Sequence, residues 1–222
     1  MSNIKDFQKI NPNYKIIPVT DPSFAQYGAI YSNYDLDSIN KIMDKQANPS
    51  GTRYIENIPE LTKDPIIQSI ARDLFAGMPV SVGATIGHSV EFTAFEYHQS
   101  SEVNIMADDV IMVLAKRQTL EQFGTIDPNV DAKMFYVPKN TVIELYNDTL
   151  HYTPLEVYQS GYKVIVMVVS GTNDKLPEGF HTNNPRVVKK GKFQVVHPVR
   201  KDKIDLGYQV ALEGKVIKVN PL

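Results

Sequence analysis

The chain contains no cysteine. That excludes disulfide staples, thiolate nucleophiles and zinc sites built on sulfur, and it fits a reducing cytoplasm. It also lacks an excess of either charge. The 23 basic and 25 acidic residues leave a formal net charge of -2, too balanced for a nucleic-acid footprint. Long hydrophobic runs are missing as well: none exceeds the length of Val164 to Val169, which is far too short to span a bilayer. The opening residues, Met1-Ser2-Asn3-Ile4-Lys5-Asp6, do not form the charged-then-apolar pattern of a secretion signal. These absences predict a cytoplasmic chain with neither membrane nor nucleic acid among its partners. No phosphate-cradling glycine loop, Gly-x-Ser-x-Gly or dinucleotide fingerprint occurs, which removes common nucleotide and hydrolase signatures.

What is present is an ordinary globular pattern. At 222 residues the chain is long enough to bury roughly 70% of its unfolded surface, so it needs no staples. The spacing predicts one domain over 1–222, with a mixed, helical extension at 1–77 and β-structure at 78–222. Asp35 reads as the cap of a helix carrying Leu36, Ile39, Ile42 and Met43. A second helix is marked by Asp64 at its cap, Pro65 in its first turn and Gly77 past its end. Ile66, Ile67, Ile70, Leu74 and Phe75 form its apolar stripe.

From Met78 onward, short strands alternate with turns. Residues 92–98, 110–115, 135–137, 141–146 and 163–169 are rich in β-branched or aromatic side chains. Gly87, Asp108-Asp109, Pro138-Lys139-Asn140, Asn147-Asp148 and Gly171-Thr172-Asn173 supply turn chemistry. Residues 118–123 read as a short helical turn ending at Gly124, and residues 193–219 again as strands. The pattern is that of a mainly β barrel or sandwich with N-terminal helices packed outside. The basic run Lys189, Lys190, Lys192 reads as a solvated strand edge, where lysine discourages pairing with other chains.

Chemistry concentrates in Glu96-Tyr97-His98-Gln99-Ser100-Ser101-Glu102. On a strand, residues two apart share a face, so Glu96 and His98 point the same way. A four-residue step through two serines can turn the chain and return Glu102 to the same point.

This segment resembles the first cupin motif: glycine, five residues, His-x-His, three or four residues, glutamate, six residues, glycine. Here Glu96-x-His98 is followed by three residues, Glu102, six residues and Asp109. Glutamate replaces the first histidine, aspartate the final glycine, and Val90 the leading one. The second motif fits as Asn140, five residues, Tyr146-x-Asp148, two residues, His151. Only that histidine is literal; Asn140 and Asp148 stand where the motif has glycine, and both residue types tolerate turn conformations. Residues 95–104, 149–154 and 170–173 further resemble a bacterial cupin-fold family described as a domain of unknown function, related to ureidoglycolate-lyase-like and sugar-isomerase cupins. This resemblance covers the central third of the chain, and the last forty residues depart from it. It implies a double-stranded β-helix barrel, a metal held by Glu96, His98, Glu102 and His151, a carbohydrate-related substrate and a homodimer.

Two carboxylates and two imidazoles suit one divalent ion such as Mn²⁺, Fe²⁺, Ni²⁺ or Zn²⁺, and four protein ligands leave positions open for a substrate. A set of His98, Glu102 and His151 alone is the variant, because histidine is usual at position 96. Asn104 shares the face of Glu102 and is a candidate for holding a substrate hydroxyl. Glu144 and Tyr146 share a face before the turn to His151. If that face is interior they are candidates for general base and acid; Ile143 and Leu145 compete for the same interior. The expectation is a metal-dependent isomerase or epimerase acting on a small sugar or sugar-derived acid. A ureidoglycolate-lyase-like lyase and a non-catalytic sugar-binding module are the alternatives.

Overall fold

The computed structural model describes residues 2–222. The first part of the chain carries helix α1 (Ser2–Ile10), strand β1 (Ile16–Pro18), a short 3-10 helix (Pro22–Gln26) and β2 (Gly28–Tyr31). Next come α2 (Asp37–Asp44), β3 (Thr52–Ile55), α3 (Pro59–Lys63) and α4 (Pro65–Phe75). The middle runs β4 (Val80–Gly87), β5 (Glu91–Phe92), β6 (Ala94–His98), β7 (Glu102–Met106), β8 (Val110–Lys116), α5 (Arg117–Phe123), α6 (Pro128–Asp131), β9 (Lys133–Val137) and β10 (Val142–Leu145). The remainder comprises β11 (Thr149–Leu150), β12 (Leu155–Glu156), β13 (Tyr162–Val169), β14 (Val187–Lys189), β15 (Lys192–Val196), α7 (Lys201–Ile204), β16 (Gln209–Val210) and β17 (Ile217–Lys218). The protein is mainly β, as its alternation predicts, and most of its strand pairs are antiparallel.

Helix α4 starts where the sequence says. The Asp64 side chain accepts from the Ile66 N–H, Pro65 follows, and the end turns left-handed at Ala76 (φ 49°) and Gly77 (φ 87°). Helix α2 begins later than expected, at Asp37. Leu36 sits in the cap position with its side chain drawn into the core, and the Asp35 carboxylate accepts from the Asp37 N–H from outside the helix. Helices α1 and α3 escape a reading based on apolar spacing because each presents so short a stripe. Gly87 is not a turn but the last residue of β4. Its φ of 124° and the close approach of the Gly51 carbonyl leave no room for a Cβ.

One sheet has the order β2-β10-β7-β13-β4-β3. A second runs β1-β9-β8-β11, with β12 also on β8. On β13, Val164, Val166 and Val168 face the second sheet, where they meet Met112, Leu114 and Phe135. Ile165 and Met167 face the other way, onto Ile39, Met43, Leu61, Ile67 and Ile70 of the helices. Burial on both faces explains why this strand reads as an unbroken apolar run. Each wholly buried isoleucine contributes about 1.5–3 kcal/mol to holding the helices on the sheet. The first 77 residues supply more than an outer helical layer, however. Strand β1 pairs with β9, β2 with β10, and β3 with β4, so the sheets cross the expected boundary.

Strand β6 pairs with β15, and β14 and β16 flank β15. This third sheet is tied to the second by a bridge in which the Glu96 N–H donates to the His151 carbonyl (2.6 Å) and the His151 N–H donates to that of Glu96 (3.0 Å). Among the described residues no helix is long and apolar enough to cross a membrane.

Candidate metal centre

Strand β6 alternates. Phe95 and Tyr97 are buried in an apolar cluster with Phe92 and Val195, so Glu96 and His98 take the opposite face. The turn at residues 99–101 returns the chain as β7, whose first residue is Glu102. His151 follows β11 and is fixed against Glu96 by the backbone bridge. Glu96, His98 and His151 offer ligand atoms within 4.8 Å of one another. Glu102 lies beside both rings, with Oε2 at 3.1 Å from His98 Nδ1 and Oε1 at 3.6 Å from His151 Nε2. The four residues singled out from the sequence are therefore brought together, with His98, Glu102 and His151 buried and Glu96 partly so.

The bonding leaves nitrogens free. His151 Nδ1 is 3.0 Å from the Thr149 carbonyl, which can only accept, so this nitrogen carries the hydrogen. His151 Nε2 and both nitrogens of His98 are buried without an aligned hydrogen-bond partner, the short distance from Glu102 to His98 notwithstanding. Glu102 is itself oriented by Asn104, whose Nδ2 donates to Oε1 at 2.9 Å. Burial favours the protonated form of Glu102, but the His151 and His98 rings overcome it and hold the carboxyl well below its usual range. Burial likewise opposes a charged His151, yet Glu102 and Glu96 raise its pKa.

Glu96 has a second attachment. In the register of β6 on β15, Lys192 stands opposite His98 and Gln194 opposite Glu96. Lys192 Nζ lies 2.7 Å from Glu96 Oε2. Burial works against both charges, and each partner's charge outweighs it, lowering the pKa of Glu96 and raising that of Lys192. Lys192 therefore corrects the reading of the basic run as a solvated edge. Lys189 and Lys190 pair with the exposed Glu56 and Asp174, Lys189 at the cavity wall, whereas Lys192 shares the period-two face of Gln194 and turns inward. The alternation of Lys192 and Gln194 with Phe193 and Val195 was a legible signal for that face. The pairing that puts it beside Glu96 was not.

These residues line a cavity of about 450 Å³. Tyr54, Asn104, Tyr152, Asn173, Arg200, Lys203 and Tyr208 are also on its wall. Glu144 and Tyr146, the candidates for base and acid if their face were interior, do not line it. In the register with β7, Ile143 and Leu145 fall on the inner face with Asn104 and Glu102, so Glu144 faces outward and accepts from the Tyr31 hydroxyl at 2.9 Å. Tyr146 is a partly exposed residue outside the cavity. Asn104 reaches the cavity, but its visible bond is to Glu102. His88 is bound to Glu156 at 2.9 Å, His181 is exposed, and His197 is satisfied by the Gly214 carbonyl and the Val199 N–H.

Fold and site thus define a mainly antiparallel β protein with a buried cluster of imidazoles and carboxylates able to hold a metal ion. The chain belongs to the family described as Domain of unknown function (DUF4867), whose model matches residues 16–217. That match includes most of the tail that departs from the sequence resemblance. No curated protein matches the chain. Solved structures give distant likenesses. HygX from Streptomyces hygroscopicus, with nickel and 2-oxoglutarate bound, is 8% identical over 77% of this chain and 94% of its own, with a TM-score of 0.49. Salicylate 1,2-dioxygenase from Pseudoaminobacter salicylatoxidans with gentisate is 7% identical over 60% of this chain, with a TM-score of 0.33. The pro-11S globulin of pumpkin is 14% identical over 56% of this chain, with a TM-score of 0.33. The chain spans 29% of the length of that dioxygenase chain and 28% of that of the globulin.

Proposed function

We propose that this protein is a metal-dependent enzyme on a cupin-type double-stranded β-helix, acting by proton transfer on a small sugar-derived molecule as an isomerase or epimerase. The observation that carries the reading is the set of buried imidazole nitrogens without partners, facing two carboxylates inside a cavity. An orphaned buried nitrogen costs stability unless something fills it. A divalent cation does so, and the Thr149 carbonyl already fixes His151 with Nε2 aimed at the cluster. His98, Glu102 and His151 are the core ligands, and Glu96 is within their reach.

When bound, the metal would polarise a substrate carbonyl and favour loss of a proton from the neighbouring carbon. The chain's own groups divide the remaining work. Glu96 is the carboxylate available to move that proton, held ionised and in place by Lys192. Tyr54 keeps its hydroxyl hydrogen, since burial and then the charge of Glu102 raise its pKa, so it serves as a donor. Val164 and Val166 exclude water from one wall.

Elemental analysis of the purified wild type beside a His98→Ala, His151→Ala double variant tests the site. About one equivalent of a transition metal is expected in the first and none in the second. Absence of metal from both, after reloading with Mn²⁺, Fe²⁺, Ni²⁺ and Zn²⁺, overturns the proposal. Aldoses, ketoses and sugar acids incubated in deuterated water with the loaded enzyme then report proton transfer. Failure of every one to exchange hydrogen removes the isomerase reading and favours a binding module.

A further inference from the structure

The cavity has a second chemical character, supplied by the last fifth of the chain. Four cations, Lys189, Lys192, Arg200 and Lys203, and three carboxylates, Glu91, Glu96 and Glu102, line it. Most of these are matched. Glu56 takes Lys189, Lys218 takes Glu91, Glu96 takes Lys192, and the two imidazoles take Glu102. Lys203 makes no ion pair among the described residues; its Nζ stands 4.8 Å from the centroid of the Tyr208 ring. Arg200 gives one edge to Asp202 outside the cavity. Its Nη1 is directed at the cavity residues Thr93 and Tyr152, at 3.3 Å from each oxygen.

Two further observations point the same way. Gln194 is 3% exposed and lines the cavity beside Lys192, and its amide nitrogen has no acceptor. Burial and then the charge of Arg200 lower the pKa of Lys203, with Lys192 adding to the repulsion and Asp202 and Glu96 opposing it; Arg200 and Lys192 hold those two carboxylates in ion pairs, and Lys203 holds none among the described residues. An ammonium without an ion-pair partner and an amide donor without an acceptor, lining one cavity, call for a ligand rich in acceptors. A dication on the histidines would add two more positive charges to the same space.

We propose that the substrate is an anion whose carboxylate or phosphoryl group sits against Lys203 and Arg200 while its other end reaches His98 and His151. The inference rests on the metal-dependent reading and names the substrate class for it: a sugar acid or sugar phosphate, in preference to a neutral sugar. Lys203 and Gln194 come from segments that a motif search centred on Glu96 to Glu102 does not touch.

Calorimetric titration in a phosphate-free buffer tests this with gluconate, sorbitol and inorganic phosphate as probes. Gluconate and sorbitol are both open-chain polyols, and only gluconate carries a carboxylate. At least one anion should bind the metal-loaded wild type at least about tenfold more tightly than sorbitol, and added salt should weaken it. Whether gluconate or phosphate binds more tightly identifies the anionic group. Lys203→Gln should lose about tenfold in anion affinity with its metal content unchanged, and Lys203→Arg should keep most of it. Binding of neither gluconate nor phosphate above that of sorbitol, no binding of any probe, or unchanged anion affinity in Lys203→Gln overturns the proposal. A wild type without metal that still binds anions through Lys203 sinks the metal-dependent reading and leaves this subsite standing. A metal-loaded protein with no Lys203-dependent anion binding does the reverse.

Discussion

Replacing Asn104 with leucine separates two roles for that residue. Asn104 donates to Glu102 Oε1 at 2.9 Å, and both residues are buried, at 3% and 6% exposure. A hydrogen bond to an ionised group in such a place is worth about 1.5–3 kcal/mol. Leucine keeps the branching at Cγ and is larger than asparagine, so the substitution removes the donor without opening a hole. Glu102 Oε1 then faces His151 with nothing to orient it. Because about 1.4 kcal/mol is a factor of ten, the dissociation constant of the bound metal should rise about 10–100-fold, the range seen when outer partners of metal ligands are lost. Competition against a chromophoric chelator measures this directly. Thermal unfolding of the metal-free variant shows whether the sheet survives. If the variant folds and binds metal within about twofold of the wild type, Asn104 does not orient Glu102 toward a metal, and the 10–100-fold expectation fails. A loss confined to substrate affinity would restore the role of substrate holder.

Lys192→Met should destabilise the metal-free protein by about 3 kcal/mol, because it leaves Glu96 buried and unpaired; denaturant unfolding reads this, and adding Glu96→Gln should recover most of the loss. Ala76→Gly should stabilise by about 1 kcal/mol, since Ala76 holds a left-handed φ of 49° at the end of α4; a lower unfolding midpoint would contradict that backbone geometry. Asp148, 2.6 Å from Lys116, has a pKa below the ordinary 3.8, because its bonds to Lys116 and Gln118 outweigh the opposing effect of burial. Its contribution is therefore present above pH 3.8 and lost as pH falls through the lower folded value. Asp148→Asn should flatten that acid limb by under about 1 kcal/mol in unfolding titrations, the pair being partly exposed.

Much of the site was legible because it obeys short-range rules. The period of two put Glu96 and His98 on one face, and the apolar weight of Phe95 and Tyr97 decided which face turned from the core. Helix α4 was legible for the same reason: Asp64, Pro65 and Gly77 act on their own neighbours. What the sequence withheld was long-range register. Glu144 shares a face with Tyr146 on paper, but only the alignment of β10 on β7 shows that Ile143 and Leu145 own the interior. Lys192 carries no local sign that it will lie opposite His98. The three strands of the first 77 residues are short, and their apolar content is too small to outcompete the helical stripes around them.

The pairing of β6 with β15 also has a consequence for biosynthesis. The last strand of the large sheet ends at Val169, and by then every residue of the imidazole and carboxylate cluster has been made. Strand β15 ends at Val196. At a translation rate of about 5–20 residues per second, Lys192 reaches the growing protein about one to five seconds later. During that interval Glu96 has no ammonium to bind, and β6 lacks its neighbour. A cation arriving then meets a cluster in which Glu96 is free of Lys192. One arriving afterwards meets a cavity also lined by Arg200 and Lys203 and competes with Lys192 for Glu96. The direction of synthesis thus sets which positive charge reaches Glu96 first.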